Sequence, residues 1–152
     1  MRTAGKIAVT ACLLWLSSMP LAAFEVQSSL SGRVTEVRSG DVIIVEDIPI
    51  RLNGVAAPPI LQPMGGDAKA FMQWLVLDKN VRCDLNGEQS RGRFIAICYL
   101  DEVDIARTLI REGYARDCPR FSNGRYARDE AEAKQSGIQD LYPLPDYCGV
   151  SL

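Results

Sequence analysis

Two neighbouring segments, residues 81–86 and 94–100, constrain the fold most because both have the composition of β-strands and each contains one cysteine. In residues 81–86 apolar and polar side chains alternate, so every second residue faces the same side of a sheet. A hairpin that turns through Asn86–Gly92 and sets Cys83 opposite Cys98 also pairs the neighbouring apolar residues. These further pairs are Val81 with Leu100 and Leu85 with Ala96. One register therefore places all three pairs on one face.

The first 23 residues have the order of a secretory signal peptide. A basic start with Arg2 and Lys6 precedes an apolar run over Ile7–Leu16, and small residues end at Ala23. The run is too short to span a bilayer. We therefore expect cleavage after Ala23, a mature domain of residues 24–152 without a transmembrane segment, and a periplasmic or secreted location. A buried N-terminal helix is the alternative, although no periodic polar face interrupts the run.

The mature chain is expected to be acidic. Removal of residues 1–23 takes away two basic residues and no acidic one, which moves the net charge from −2 to −4. Such a domain has no overall field that would attract polyanions. Binding of a nucleic acid would therefore depend on a local basic patch.

Four cysteines remain after cleavage, and an even number in a small exported domain is typical of disulfides. The hairpin register pairs Cys83 with Cys98, which leaves Cys118 and Cys148 as the second pair. Four buried free thiols are the alternative. A zinc site is disfavoured because the sequence has no histidine and no Cys-x-x-Cys spacing.

The rest of the pattern reads as three short strands, a helix, the hairpin and further helices. Asp67 and Asp104 are candidate helix N-caps. The expected elements are strands Gly32–Arg38, Val42–Val45 and Ile48–Val55, and helices Asp67–Asp78, Ile105–Glu112 and Arg125–Ser136, with Phe71, Trp74, Leu75 and Leu109 buried and residues 141–148 extended. This order favours an α+β fold, a five-stranded Greek-key OB-fold barrel with about three α-helices.

Five short motifs follow one another along the mature chain, and the first two are Ser39-Gly40-Asp41 and Arg51 to Pro59. They resemble the Asp-Gly-Asp turn and the Arg-Leu-x-x-Val-Asp-Thr-Pro-Glu segment of the staphylococcal nuclease (thermonuclease) family. The later motifs are Gly92–Ala96, Asp104–Ala115 and Tyr126–Leu141, which resemble Gly-Arg-x-Leu-Ala, Asp-Val-Asn-x-x-Leu-Val-x-x-Gly-x-Ala and Glu-x-x-Ala-Lys-x-x-x-x-Gly-x-Trp. The resemblance covers almost the whole mature chain and implies the OB-fold barrel of that family.

The resemblance also implies site residues. In the family two aspartates hold calcium, a glutamate orients the attacking water and two arginines clamp the phosphate. Asp41 matches a metal ligand, and Arg51 and Arg93 match the catalytic, phosphate-binding arginines. Ala56 replaces the later aspartate and Pro59 replaces the glutamate. Calcium needs six to eight oxygen ligands, and loss of a general base alone slows a reaction ~10²–10⁴-fold, so we expect a degenerate site.

Each retained residue also has a purely structural interpretation. Asp41 after Gly40 is a good turn residue, and the alternative for an Asp41–Arg51 pair is a purely structural role. Arg93 lies close to Arg91 and would also be stable as a solvated charge. Nearby acids that would replace a lost ligand, if the fold brings them to Asp41, are Glu46, Asp47 and Asp67.

The sequence thus favours an exported, non-catalytic binding or accessory module without a cofactor, whose ligand is a nucleic acid, a polysaccharide or another anionic polymer. Cys118-Pro119-Arg120 and Pro143–Cys148 also resemble small rhizobial nuclease-like proteins associated with biosynthesis of succinoglycan, an exopolysaccharide. The alternative is a calcium-dependent endonuclease with an altered ligand set. The absence of histidine excludes Ser-His-Asp and Cys-His catalysis and most zinc hydrolases.

Overall fold

A computed structural model describes residues 28–133 and 137–149. The expected signal peptide and its cleavage point lie outside these residues. The strands are β1 Ser29–Ser39, β2 Val42–Val45, β3 Ile48–Leu52, β4 Val55–Ala56, β5 Asn80–Ser90, β6 Arg93–Leu100, β7 Val103–Asp104 and β8 Arg116–Asp117. The helices are α1 Gly65–Val76, α2 Ile105–Arg111, α3 Pro119–Ser122, α4 Ala127–Glu132 and α5 Ile138–Leu141, with a 3₁₀ turn at Asp146–Cys148. Within the described ranges no helix is long and apolar enough to cross a membrane.

Six strands form one sheet in the order β3-β2-β1-β5-β6-β7, and β3 also pairs in parallel with β6. This extra pairing joins the two ends of the β3-to-β6 portion, which curls into an OB-like form. The predicted α+β, OB-like class is therefore confirmed. The sheet is not the clean five-stranded barrel of the prediction, because β7 turns back to pair with β6 at its edge and β4 and β8 form a separate two-stranded sheet.

The main core lies between this sheet and helices α1 and α2. Its largest fully buried side chains include Ile43, Ile50, Leu52, Met72, Leu109 and Ile110. Tyr126 is also buried there, and its hydroxyl donates a 2.9 Å hydrogen bond to Asp104 Oδ2. Asp104 Oδ1 accepts from the backbone N–H groups at the start of α2. The predicted N-cap at Asp104 and the burial of Leu109 are confirmed.

Both expected disulfides are present. Cys83 lies directly opposite Cys98 in the predicted register, with the Cα atoms 4.0 Å apart, slightly closer than the typical lower value of about 4.4 Å. The second bond joins Cys118 to Cys148, with Cα atoms 4.6 Å apart. The hairpin turn is tighter than predicted, because a register shift after Leu85 lets β5 continue before the chain reverses at Arg91-Gly92.

Helix α1 differs from the prediction in its start and in its buried face. It begins at Gly65 rather than at Asp67. Its buried residues recur every three or four positions, at Gly65, Ala68, Met72 and Val76. Trp74 falls outside this stripe and is 73% exposed, so the prediction that Trp74 is buried is wrong. Phe71 and Leu75 flank the stripe and are half-buried against the core.

The C-terminal region is more broken than predicted. Helix α4 covers only the middle of the expected Arg125–Ser136 helix, and residues 134–136 lie outside the described ranges. A further helix, α5, follows after Gly137. The tail expected to be extended contains the 3₁₀ turn that carries Cys148.

The buried face of α1 gives a paired stability test. We expect Met72→Ala to lower the free energy of unfolding by about 2–5 kcal/mol, because it opens a cavity under a fully buried side chain. Trp74→Ala, two residues away on the exposed side, should change it by at most about 1 kcal/mol. Urea denaturation of both variants measures the difference. A loss at Trp74 as large as that at Met72 would contradict the assigned face.

Candidate functional site

Asp41 lies in the turn between β1 and β2 and forms an ion pair with Arg51. Asp41 is only 6% exposed, and its Oδ2 lies 2.8 Å from Nη1 of Arg51. Its Oδ1 accepts a 2.8 Å hydrogen bond from the Ser39 hydroxyl. Strand pairing explains the contact, because the neighbouring residue Val42 lies opposite Arg51 in the β2–β3 ladder. The pair expected from sequence is thus formed, and both carboxylate oxygens are engaged within the protein.

Gly40 allows this turn to pack closely against the rest of the domain. A Cβ at Gly40 would lie 2.7 Å from the Cβ of Ala57 and 2.9 Å from that of Ala68. Neither neighbour is the end of a flexible side chain, so a larger residue would push the turn away from helix α1 and displace Asp41.

The parallel pairing of β3 with β6 brings Arg93 beside Arg51. Arg51 lies opposite Ile95 in this ladder, and Arg93 precedes Ile95 by two positions, on the same face of its strand. The Arg93 Nε donates to the carbonyl of Ser90 at 3.1 Å, and no described carboxylate forms an ion pair with it. Burial and the positive charge of Arg51 lower the pKa of Arg93 from its usual value, although an arginine remains protonated at any physiological pH.

The two arginines line a cavity of about 760 Å³. Three arginines and one carboxylate contribute to its wall, namely Arg51, Arg91, Arg93 and Glu88. Uncharged polar side chains also line it, among them Asn53 and Gln89. The cavity therefore has an excess of positive charge, although the sequence as a whole has a net charge of −2.

Sequence reasoning missed two tyrosines of the C-terminal tail. Tyr147 lines the same cavity as Arg51 and Arg93. Tyr142 is buried, and burial, the hydroxyl of Tyr147 and the charge of Asp41 raise its pKa to about 12. The sequence feature that points to these tyrosines is the Cys118–Cys148 pair. The disulfide fixes the C-terminal tail beside Cys118, and Cys118 also lines the cavity.

The residues present do not fit a calcium ion. Ala56 is fully buried in a second apolar cluster with Cys118, Tyr142 and Cys148, and Pro59 offers no side-chain oxygen. Glu46, Asp47 and Asp67 are exposed, and Glu46 accepts from the backbone of Arg33. Among the described residues no three acidic, histidine or cysteine side chains are grouped as a metal site would need. One carboxylate already held by Arg51 falls well short of the ligand set that calcium requires.

Comparison of the sequence with models of protein families shows which family this chain belongs to. The model described as "Staphylococcal nuclease homologue" matches residues 49–139, which is more than half of the chain. The chain belongs to this family. The resemblance found in the motifs is therefore confirmed, and the matched range includes Arg51 and Arg93, whereas Asp41 lies just before it.

Individual relatives carry different names. The chain is 32% identical over 123 residues to the succinoglycan biosynthesis protein ExoI of Rhizobium meliloti (strain 1021), covering 73% of this chain and 64% of the relative. It is 26% identical over 141 residues to an uncharacterized endonuclease of Haemophilus influenzae, covering 88% and 78%. It is 24% identical over 103 residues to the probable staphylococcal-like nuclease CAN1 of Oryza sativa subsp. japonica, covering 68% and 31%. The chain thus spans just under two thirds of the Rhizobium protein and about a third of the rice protein.

The two arginines should differ in what they do for stability. Arg51→Met leaves Asp41 buried without its counter-charge, and we expect the free energy of unfolding to fall by about 3 kcal/mol. Arg93→Met removes a cation that has no acidic partner among the described residues, so stability should change by at most about 0.5 kcal/mol. Urea titrations of the two variants test this contrast. Equal losses would show that Arg51 is not the structural member of the pair.

Tyr142 should make the protein sensitive to alkali. Because its pKa is raised from about 10 to about 12, its stabilising contribution is complete below pH 10 and disappears as the pH rises to about 12. We expect Tyr142→Phe to lose less stability than the wild type over this interval, by about 2–3 kcal/mol. Urea denaturation at a series of alkaline pH values measures the difference. Parallel pH profiles would contradict the environment assigned to Tyr142.

Proposed function

We propose that this protein is an exported, disulfide-stabilised member of its family that binds a phosphate-bearing anion through Arg51 and Arg93 and does not hydrolyse it. The observation that carries the proposal is the cavity in which Arg93 lies beside Arg51 and forms no ion pair with a described carboxylate. The guanidinium group of Arg93 is therefore available to an anionic ligand.

Arginine chemistry supports a phosphate as the ligand. The planar guanidinium group donates two parallel hydrogen bonds to phosphate oxygens and keeps its charge when partly buried. Arg51 is held in place by Asp41 at 2.8 Å, and Arg93 is oriented by Ser90. Both side chains are therefore pre-positioned, which lowers the entropy that binding would otherwise cost.

Loss of catalysis follows from the groups around these arginines. Phosphodiester hydrolysis needs a base that takes a proton from water, and the family's glutamate position is Pro59. The Ala56 side chain is enclosed by apolar groups and the Cys118–Cys148 disulfide. A carboxylate there would have to be buried among apolar side chains. The cavity thus keeps the two arginines that bind phosphate in a nuclease site and lacks the second carboxylate that binds the metal and the carboxylate that activates water.

Export is supported by the two disulfides, since such bonds persist in oxidising compartments, and by the expected signal peptide over residues 1–23. The name of the Rhizobium relative adds a biological setting. We infer an accessory role in the biosynthesis of an extracellular polysaccharide.

A calcium-dependent nuclease with an altered ligand set is the second candidate. It is favoured by the names of the Haemophilus and rice relatives and by Glu88, a carboxylate in the cavity wall. In that case Glu88 would have to act with Asp41 in place of the missing family residues.

Calorimetry on the purified protein distinguishes the two. We expect inorganic phosphate to bind more tightly than calcium, and Arg93→Met to weaken phosphate binding by about 10–100-fold through loss of a charge-assisted contact. Calcium should leave the melting temperature unchanged, and denatured DNA should stay intact.

Lys79→Met serves as a matched control, because it removes an exposed cation that is not part of the cavity wall and should leave phosphate binding unaltered. Calcium-dependent cleavage of denatured DNA that disappears in Arg51→Ala and Arg93→Ala would instead establish the nuclease.

A further inference from the structure

The C-terminal tail forms one wall of the arginine-lined cavity. The 3₁₀ turn Asp146–Cys148 packs beside helix α3, and the disulfide ties Cys148 to Cys118 at the start of that helix. Tyr147, next to the disulfide, lines the cavity together with Arg51 and Arg93. A segment near the end of the chain thus reaches a site built from two strands of the sheet.

Tyr147 is held between two buried anchors. Tyr142 on one side and Cys148 on the other belong to the second apolar cluster, and the carbonyl of Tyr142 accepts a 3.2 Å hydrogen bond from Arg116. Tyr147 itself is 48% exposed. A half-exposed aromatic side chain between two fixed backbone positions can serve as a binding platform.

The remaining cavity wall suits a ligand rich in hydroxyl groups. Asn53 and Gln89 line the cavity, and their side-chain amides have no hydrogen-bond partner within the described part of the chain. Glu88 adds a carboxylate, one oxygen of which already accepts from Asn86. The two amides donate and accept hydrogen bonds and the carboxylate accepts them, so together they can pair with sugar hydroxyl groups. The negative charge of Glu88 would repel a ligand that carries a second phosphate.

We propose that the cavity binds a sugar phosphate, with the phosphate on Arg51 and Arg93 and the sugar ring packed on Tyr147. The polar side chains of the wall then contact the hydroxyl groups of the ring. This inference rests on the proposed anion-binding function and specifies its ligand class. The Cys118–Cys148 disulfide sets the affinity, because it fixes the position of Tyr147.

Calorimetry on the purified protein with three probes that share a phosphate group separates the contribution of the phosphate to binding from that of the sugar. The probes are inorganic phosphate, glucose 1-phosphate and adenosine 5′-monophosphate. We expect glucose 1-phosphate to bind about tenfold more tightly than inorganic phosphate, and more tightly than the nucleotide. Tyr147→Ala should remove this gain while inorganic phosphate still binds as before, and Tyr147→Phe should keep most of it.

Two further variants control for indirect effects. The double variant Cys118→Ser/Cys148→Ser should lose the same gain as Tyr147→Ala, because the tail is no longer tied to α3. Trp74→Ala removes an exposed aromatic ring on helix α1, outside the cavity wall, and should bind all three probes like the wild type. Circular dichroism of each variant checks that it is folded.

The outcomes that overturn the proposal are distinct. If inorganic phosphate binds but glucose 1-phosphate gains nothing from Tyr147, the sugar-phosphate inference is wrong and the anion-binding function stands. If the nucleotide binds more tightly than the sugar phosphate and Tyr147→Ala removes that preference, the cavity is a nucleotide site. If no probe binds to the wild type, both the inference and the proposed function are wrong.

Discussion

The parallel pairing of β3 with β6 is the contact on which the rest of the domain depends. It joins segments some 40 residues apart in the chain, with Ile50, Arg51 and Leu52 opposite Phe94, Ile95 and Ala96. Without it the six strands would be an open sheet with an exposed edge at β3. With it, apolar side chains from both ends of the sheet enclose one core, and the arginines of two distant segments project into one cavity.

Arg51 and Arg93 lie side by side but differ in their electrostatic environment, because Arg51 forms an ion pair with Asp41 and Arg93 forms none with a described carboxylate. A partly buried arginine opposite a buried carboxylate satisfies both groups within the fold, so its main contribution is to avoid an isolated buried charge. Arg93 experiences the opposite environment, since burial and the neighbouring cation both disfavour its charge. An anion that entered the cavity would relieve this unfavourable electrostatic energy, which is why we propose Arg93 as part of an anion-binding site.

Much of the fold could be predicted from the sequence because its signals are local or have a strict period. The register of the β5–β6 hairpin followed from alternation of residues, which fixed Cys83 opposite Cys98. The buried face of α1 was predicted less well, because small residues occupy much of the buried stripe and Phe71 and Trp74 lie beside it. The prediction placed the large aromatic residues on the buried face because they are the most hydrophobic. In the structure the β1–β2 turn packs so closely on α1 at Gly40 that a small residue, Ala68, occupies the contact.

The sequence by itself determined the chemical inventory of the site: Asp41, Arg51 and Arg93 are present, while Ala56 and Pro59 cannot bind a metal or accept a proton. The tertiary structure decided which of these groups meet and what else joins them. Tyr147, Glu88 and Asn53 carry no motif, and they reach the cavity only because the sheet closes and the Cys118–Cys148 disulfide folds the tail back. Contacts between segments so far apart depend on closure of the whole sheet, and no local pattern in the chain encodes them.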